Sequence, residues 1–460
     1  MSSVVSSITG TNSSVTETKT RANLNGEPIP TFKFRTEEVT PRVQSTIIES
    51  TNIGGDTLIW GNEDYGCFTP DTEILTTQGI KLVKDCQVGE LVYSVNPETL
   101  ETEIKPIIDT QEYDYNGIMH HFISDRMDFL VTPNHNMLLR KQIQKNNKKV
   151  LSKPMFIKPE DMKSIRYKIP EHKKMKFGEK HDPDLLYFYG IFLSEGCLSH
   201  NIRKGKSNGY WVEIAQYESV NPKICRKIEE CLDNLFLTYK RTLDKKKYIL
   251  YSKELYEHLS SLFGIGSYNK RIPNFLIEEY DEESLKALYD GMYDGDGDKD
   301  VNRYSTASIH LRDGFIHLLT RFGYRWRYLY ETNNKTGNGI WRIFFKKGDN
   351  NAVINKEQHK KVAYSGKIFC VTVKDNHTVL VGRNGKFDWC GQSWGASKWG
   401  NSSYQSFILG LSPLGNNSLG SRVSEPVIIL VKLEGNYVED FGTLTFCDTS
   451  NTTADWGGLN

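Results

Sequence analysis

The sequence predicts an all-β domain interrupted by an inserted α/β domain, and three observations carry that expectation. Short β-branched runs punctuated by turn residues fill the stretch after Cys67. At Leu185 the apolar period changes from two to about 3.6, and helical and extended runs then alternate to about residue 350. Extended character returns at 367–373 and 378–381. An order of β, then α/β, then β arises when one domain lies inside another.

Each element follows from its own pattern. Residues 73–76, 81–83, 91–95, 118–123 and 129–132 read as strands, alternating or continuously apolar and rich in Val, Ile, Leu and aromatics. Helical spacing appears at 185–195, 222–235, 254–263, 284–293 and 311–322. Residues 1–40 are rich in Ser, Thr and Asn without apolar periodicity and read as a mobile arm. Strand character from Val43 to Trp60, and again at 426–432 and 442–446, makes the two flanking segments β-rich.

Composition narrows the class. At 460 residues the chain is long enough for two to four domains, and 38% hydrophobic with 25% charged residues is ordinary for a globular protein. No run of about 18 apolar residues occurs, so no membrane partner is expected. The N-terminus lacks the basic and apolar regions of a secretory signal. Eight scattered Cys without a Cys-x-x-Cys pair argue against zinc and a disulfide framework, and point to a reducing, intracellular compartment. The net charge of +1 hides a basic run over 140–180, which reads as a solvated linker or, more sharply, as a patch for the DNA backbone that includes Lys148 and Lys149.

The motifs carry the chemistry. The run Gly66-Cys67-Phe68-Thr69-Pro70-Asp71-Thr72-Glu73-Ile74-Leu75-Thr76 resembles the first block of inteins, self-splicing domains of the horseshoe-like Hint fold. Thr132-Pro133-Asn134-His135 resembles their Thr-x-x-His block, and the stretch from Phe369 through His377 to Gly385 their penultimate block. All three occur in the family's order, and the resemblance spans about 67–392. It implies that Cys67 attacks the Gly66 carbonyl to form a thioester and that His135 protonates the departing amine. Thr132 would orient the scissile peptide or its oxyanion. Ser393 would then take the acyl group, and Gln392 would cyclise to a glutarimide with help from His377. No cofactor is needed for these steps. The chain departs from the family's usual His-Asn ending, having Gly391-Gln392, and carries Cys370 where Asp is common. Trp389 before Cys390 has no amide to cyclise, which sets Cys390 aside as the splice nucleophile.

Two further stretches resemble each other. Gly190 and Ser194 lie four apart before Glu195-Gly196, and Gly291 and Gly295 four apart before Asp296-Gly297. Small residues at i and i+4 share a helix face and let two helices approach closely. Each helix ends in an acid and a glycine suited to a left-handed cap. The pattern resembles LAGLIDADG homing endonucleases, with both motifs in one chain and the two acids spaced as one repeat of such a domain requires. The resemblance implies an α/β domain of two αββαββα-type repeats that acts as a monomer on a long asymmetric double-stranded DNA target. Glu195 and Asp296 would bind Mg²⁺ or another divalent metal, and Lys270 and Arg271 would contact DNA. Asp294-x-Asp296-x-Asp298 begins like an EF-hand loop, but Lys299 stands where Gly is required and Ser305 where Glu is required.

The expected division is therefore 1–66 and 393–460 as host, 67–140 and 351–392 as the splicing domain, 141–180 as basic linker, and 181–350 as nuclease. The host would be 1–66 joined directly to 393–460. Its Asn, Ser, Thr, Trp and Gly richness reads as a small virion-type structural β protein of undetermined oligomeric state. Two other functions compete: a self-cleaving domain that does not ligate, and a non-catalytic β protein with a DNA-binding insert.

Overall fold

The computed structural model describes residues 66–392, except 146–147, 164–165, 204–205, 333–336, 338 and 348–351, together with strand segments in 56–62 and 398–431. The chain divides into two compact units, 1–65 with 394–460, and 66–393. Most of the described structure is β, with few helices. In the first unit Asp56–Asn62 pairs antiparallel with Phe407–Leu409 and with Pro426–Val431. The arm over 1–40, the strand expected at 442–446 and Ser393 lie outside the described residues.

The second unit is organised by two long strands. Thr102–Ile123 runs antiparallel to His359–Val373, from His359↔Phe122 to Val373↔Ile107. Glu73–Thr76 pairs with both Gly79–Leu82 and Thr378–Arg383, and the latter pairs with Lys386–Gly391. The two ends of this unit thus lie in adjacent strands of one sheet. Apolar side chains from both ends, including Ile74, Leu75, Val92, Val371, Val379 and Trp389, share a core. Asn384-Gly385 closes the last hairpin with φ of 53° and 71°, the positive pair a two-residue primed turn requires.

The basic run is not a linker. Met137–Lys145 pairs with Lys148–Leu151, Met155–Ile157 and Tyr167–Lys168, and the last strand continues to Val353–Ile354. Apolar residues interleave with the charges, and Leu138, Leu139, Tyr167 and Ile169 are buried. Burying them stabilises a sheet that the charge density alone does not reveal.

The α/β part runs helix Pro183–Glu195, strands Gly196–Arg203 and Lys206–Ala215, helix Pro222–Asn234, strands Lys240–Arg241 and Lys247–Leu250, then helix Lys253–Phe263. A short helix, Asn274–Glu279, precedes a second series that begins with Glu282–Asp296 and ends with Tyr324–Thr332 and Gly339–Lys347. Asp182, Ser252, Asp281 and Ser308 each cap a helix by accepting from a first-turn N–H. The second series' sheet continues into the sheet that holds both ends of this unit through Arg327↔Lys386, so these two parts share one sheet.

Candidate functional site

Gly66 and Cys67 are buried. The Cys67 N–H donates to Thr132 Oγ1 at 3.0 Å, and the Thr132 N–H donates to the Cys67 carbonyl at 3.2 Å. On the other side of the peptide the Cys370 thiol donates to the Gly66 carbonyl oxygen at 3.4 Å. Thr132 therefore lies on the nitrogen side of the Gly66–Cys67 peptide and Cys370 on its carbonyl side. A hydrogen bond with Cys370 and then burial hold the Cys67 thiol well above its ordinary pKa, so near neutral pH it is a thiol that needs a base.

His135 is fully buried, with its ring edge against Phe68 at 4.6 Å between centroids. Burial pushes its pKa down to about 4, while the Gly66 and Gly391 backbones pull the other way. Its Nε2 lies 2.9 Å from the Gly391 carbonyl oxygen and 3.3 Å from Cys390 Sγ. One histidine thus faces both ends of the 66–393 unit. Burial raises the Cys390 thiol pKa well above its ordinary value.

At the far end the Gln392 side chain is held on both atoms of its amide. The Val373 N–H donates to Oε1 at 2.8 Å, and Nε2 lies 2.9 Å from His377 Nδ1. The Gln392 N–H donates to the His377 carbonyl at 3.1 Å. His377 sits in a tight turn with φ of 52°. The structure therefore brings Cys67, Thr132 and His135 together at one end, and His377 and Gln392 at the other, with His135 touching both.

A buried charge network next to this centre was not anticipated. Asp388, fully buried, accepts from His172 Nε2 at 2.9 Å and pairs with Arg325 at 3.0 Å. The opposing charge of Arg325 and the hydrogen bond from His172 outweigh burial and hold Asp388 below the usual carboxylate range. Its only sequence signal is a charge inside the apolar run Phe387-Asp388-Trp389-Cys390.

The second cluster lies between the two long motif helices. A Cβ on Gly190 would meet the Leu288 carbonyl oxygen at 2.3 Å, and one on Gly291 the Tyr187 carbonyl oxygen at 2.3 Å, so both positions need glycine for backbone to meet backbone. The glycines after the acids do not form left-handed caps: φ is −82° at Gly196 and −88° at Gly297. They are required because a Cβ would strike the Phe192 and Tyr293 rings as each helix passes directly into a strand.

Glu195 is raised to about 7 by burial and then by Asp296, with Lys270 opposing, and Asp296 is raised to about 6 by burial with Lys270 opposing. Among the described residues neither carboxylate forms an ion pair within 4.0 Å. Two oxygen donors that resist ionisation and lack a direct counter-charge fit a divalent cation. Asp294 points elsewhere, to Lys227, Lys299 and the Tyr187 hydroxyl.

Lys270 corrects an expectation. It is buried, and Nζ donates to the Phe192, Leu193 and Gly196 carbonyls, each at 2.8 Å, which satisfies the end of the first motif helix. It is not an open DNA contact, and its charge acts on the two acids instead. Arg271, Lys148 and Lys149 are exposed, and Arg271 also donates to the Ser261 carbonyl at 3.3 Å.

No family model matches the chain. Among curated relatives, an ATP-dependent Clp protease proteolytic subunit from Chlamydomonas moewusii is 24% identical over 283 residues, 54% of this chain and 27% of the relative. A DNA-directed RNA polymerase subunit Rpo1C from Methanocaldococcus jannaschii is 33% identical over 153 residues, 31% of this chain and 16% of the relative. The chain thus spans only about a quarter or less of these relatives' length. Neither name matches a virion-type structural protein. Solved structures that resemble it include variants of the homing endonuclease I-DmoI, 17% identical over 36% of this chain and 88% of that one, with a TM-score of 0.28. Another is the G-1F mutant of the Ssp DnaB mini-intein variant M86, 7% identical over 71% of this chain and 99% of that one, with a TM-score of 0.24.

Proposed function

We propose that residues 67–392 excise themselves and join Gly66 to Ser393, and that the inserted α/β part is a metal-dependent DNA endonuclease. The observation that carries the first half is His135, whose ring faces the Gly66 backbone and whose Nε2 reaches the Gly391 carbonyl. A buried acid–base group shared by two chain ends so distant in sequence has a purpose if both ends react in turn. The relatives support the reading: a protease subunit and a polymerase subunit have unrelated names, and each is matched over a fraction of its length. An element interrupting unrelated hosts accounts for that pattern.

The steps balance. Cys67 Sγ attacks the Gly66 carbonyl carbon, the C–N bond to Cys67 breaks, and the thiol proton ends on the released amine. Thr132 holds that amide, the Cys370 thiol donates to the oxygen where charge develops, and His135 relays the proton. Holding these groups together provides an effective molarity of roughly 10⁵–10⁸ M for well-aligned reactants. Ser393 Oγ then displaces the Cys67 sulfur, which regains a proton. Gln392 Nε2 attacks its own main-chain carbonyl and releases the Ser393 amine, while His377 accepts the amide proton across 2.9 Å. An O-to-N shift leaves an ordinary peptide bond.

For the nuclease, Glu195 and Asp296 would hold Mg²⁺ or a similar ion, which supplies Lewis acidity for phosphodiester hydrolysis when bound. Lys270 positions the end of the first motif helix, and exposed Lys148, Lys149 and Arg271 supply phosphate contacts on double-stranded DNA. The joined host, 1–66 with 393–460, is read from composition as a small structural β protein.

Trapping the thioester tests the splicing half. Hydroxylamine should cleave the chain after Gly66, and Cys67→Ala should abolish that cleavage. Cleavage that persists in Cys67→Ala would refute the assignment. For the other half, Asp296→Ala should abolish Mg²⁺-dependent DNA nicking, and unchanged nicking would refute the metal pair.

A further inference from the structure

Two buried cysteines stand opposite each other at the upstream end of the 66–393 unit. Phe68 and Phe369 exchange both backbone hydrogen bonds, each N–H donating to the other's carbonyl at 2.8 Å, in an antiparallel bridge. One step along each chain, the same register sets Cys67 directly across from Cys370. Because the phenylalanines are the hydrogen-bonded pair, the cysteines are the non-hydrogen-bonded pair. Cα atoms of such a pair approach to about 4.5 Å, with both side chains on one face. A disulfide spans Cα separations of about 4.4–6.8 Å, so it closes here with little backbone movement. The side chains agree with the register: the two thiols hydrogen-bond to each other, and the Cys370 thiol reaches the Gly66 carbonyl oxygen at 3.4 Å. Both are buried free thiols.

We propose that Cys67 and Cys370 form a cross-strand disulfide that holds the chain unspliced until it is reduced. The inference rests on the splicing reading above. The oxidant is hydrogen peroxide, small enough to enter a buried site. One sulfur attacks a peroxide oxygen and breaks the O–O bond, giving a sulfenic acid; its thiol proton goes to the departing hydroxide as water. The other sulfur attacks the sulfenic sulfur, the S–O bond breaks, and the second thiol proton leaves with that hydroxide as a second water. Two thiols and one peroxide thus become one disulfide and two waters. The product adds no atoms to the buried site, whereas a mixed disulfide with a larger thiol would. In the oxidised chain Cys67 Sγ cannot attack the Gly66 carbonyl, and Cys370 has no S–H to donate to its oxygen. A carboxylate at 370, common in the intein family, could not close this bond.

The test uses the full chain stalled by Gln392→Ala and Ser393→Ala, with Cys197→Ser removing the exposed thiol among the described cysteines. After treatment with hydrogen peroxide, remaining thiols are alkylated and peptides are mapped without reduction. The expected result is a peptide pair joining residue 67 to residue 370. Hydroxylamine cleavage after Gly66 should fall to the level of Cys67→Ala and return when a phosphine reduces the disulfide. Alkylation of both residues 67 and 370 after treatment, or Cys67 joined to another cysteine, would overturn the proposal. So would undiminished cleavage in a chain fully joined between 67 and 370. Cys370→Ser, whatever its own basal rate, should show no joined peptide; should it fail to fold, the map and the phosphine reversal in the unaltered pair decide alone. Absence of hydroxylamine cleavage in the reduced chain would sink the splicing reading itself, whereas cleavage with no 67–370 bond after peroxide sinks only this inference.

Discussion

Asp388→Ala tests how firmly the two parts of the 66–393 unit are joined. The carboxylate is fully buried and holds Arg325 from the strand Tyr324–Thr332 at 3.0 Å and His172 at 2.9 Å. Its removal leaves the Arg325 guanidinium buried without its counter-charge, which costs about 3–5 kcal/mol. With a urea slope of about 3 kcal/mol/M, the unfolding midpoint should fall by roughly 1–1.7 M. The measurement uses a chain blocked by Cys67→Ala and Gln392→Ala, so that unspliced protein is compared with unspliced protein. A double-mutant cycle with Arg325→Ala should show coupling of about 0.5–3 kcal/mol, the double change costing less than the sum. Additive losses, or a shift far smaller than this, would refute the claim that Asp388 and Arg325 act as one unit. The pH dependence has a definite sign. Because the folded pKa of Asp388 lies below its ordinary 3.8, its stabilisation is present above that value and is lost as pH falls through the depressed folded one.

Further outcomes follow from the same geometry. Replacing 183–350 by a short linker removes Arg325 from Asp388, so splicing of the shortened chain should improve when Asp388→Leu is added; equal splicing with and without it would contradict this. Gly190→Ala should destabilise the unit by about 1–3 kcal/mol, because the new Cβ meets backbone rather than a flexible side chain, and a neutral effect in urea would contradict the helix contact. Gln392→Ala should halt the chain as a branched ester or cleaved fragments, and normal ligation would move the junction elsewhere. Glu195 and Asp296, raised to about 7 and 6, favour the metal-free fold at low pH and lose that contribution as pH rises through 6–7. Mg²⁺ should therefore raise the melting temperature more under mildly alkaline than under mildly acidic conditions, and equal shifts would argue against these ligands.

The residues that meet at the two ends of the 66–393 unit were legible because each step of the proposed reaction demands a residue type at a fixed place in the chain: a thiol after glycine, a histidine after a strand, an amide at the far end. The motif helices were legible for a similar reason, since close approach admits only small residues at Gly190 and Gly291. Tertiary partners were not. The Asp388 network draws on residues 172, 325 and 388, and no local pattern links them. The basic run hid its sheet because charges mask the interleaved Leu138, Leu139, Tyr167 and Ile169. Lys270 read as a surface cation because sequence does not show that three carbonyls at a helix end surround it.

The central claim is that the chain removes its own middle. Intact mass of the chain expressed under reducing conditions tests it most directly. The expected result is two species, a joined product with the mass of 1–66 linked to 393–460 and an excised piece with the mass of 67–392. A single unchanged species of 52.7 kDa would contradict it.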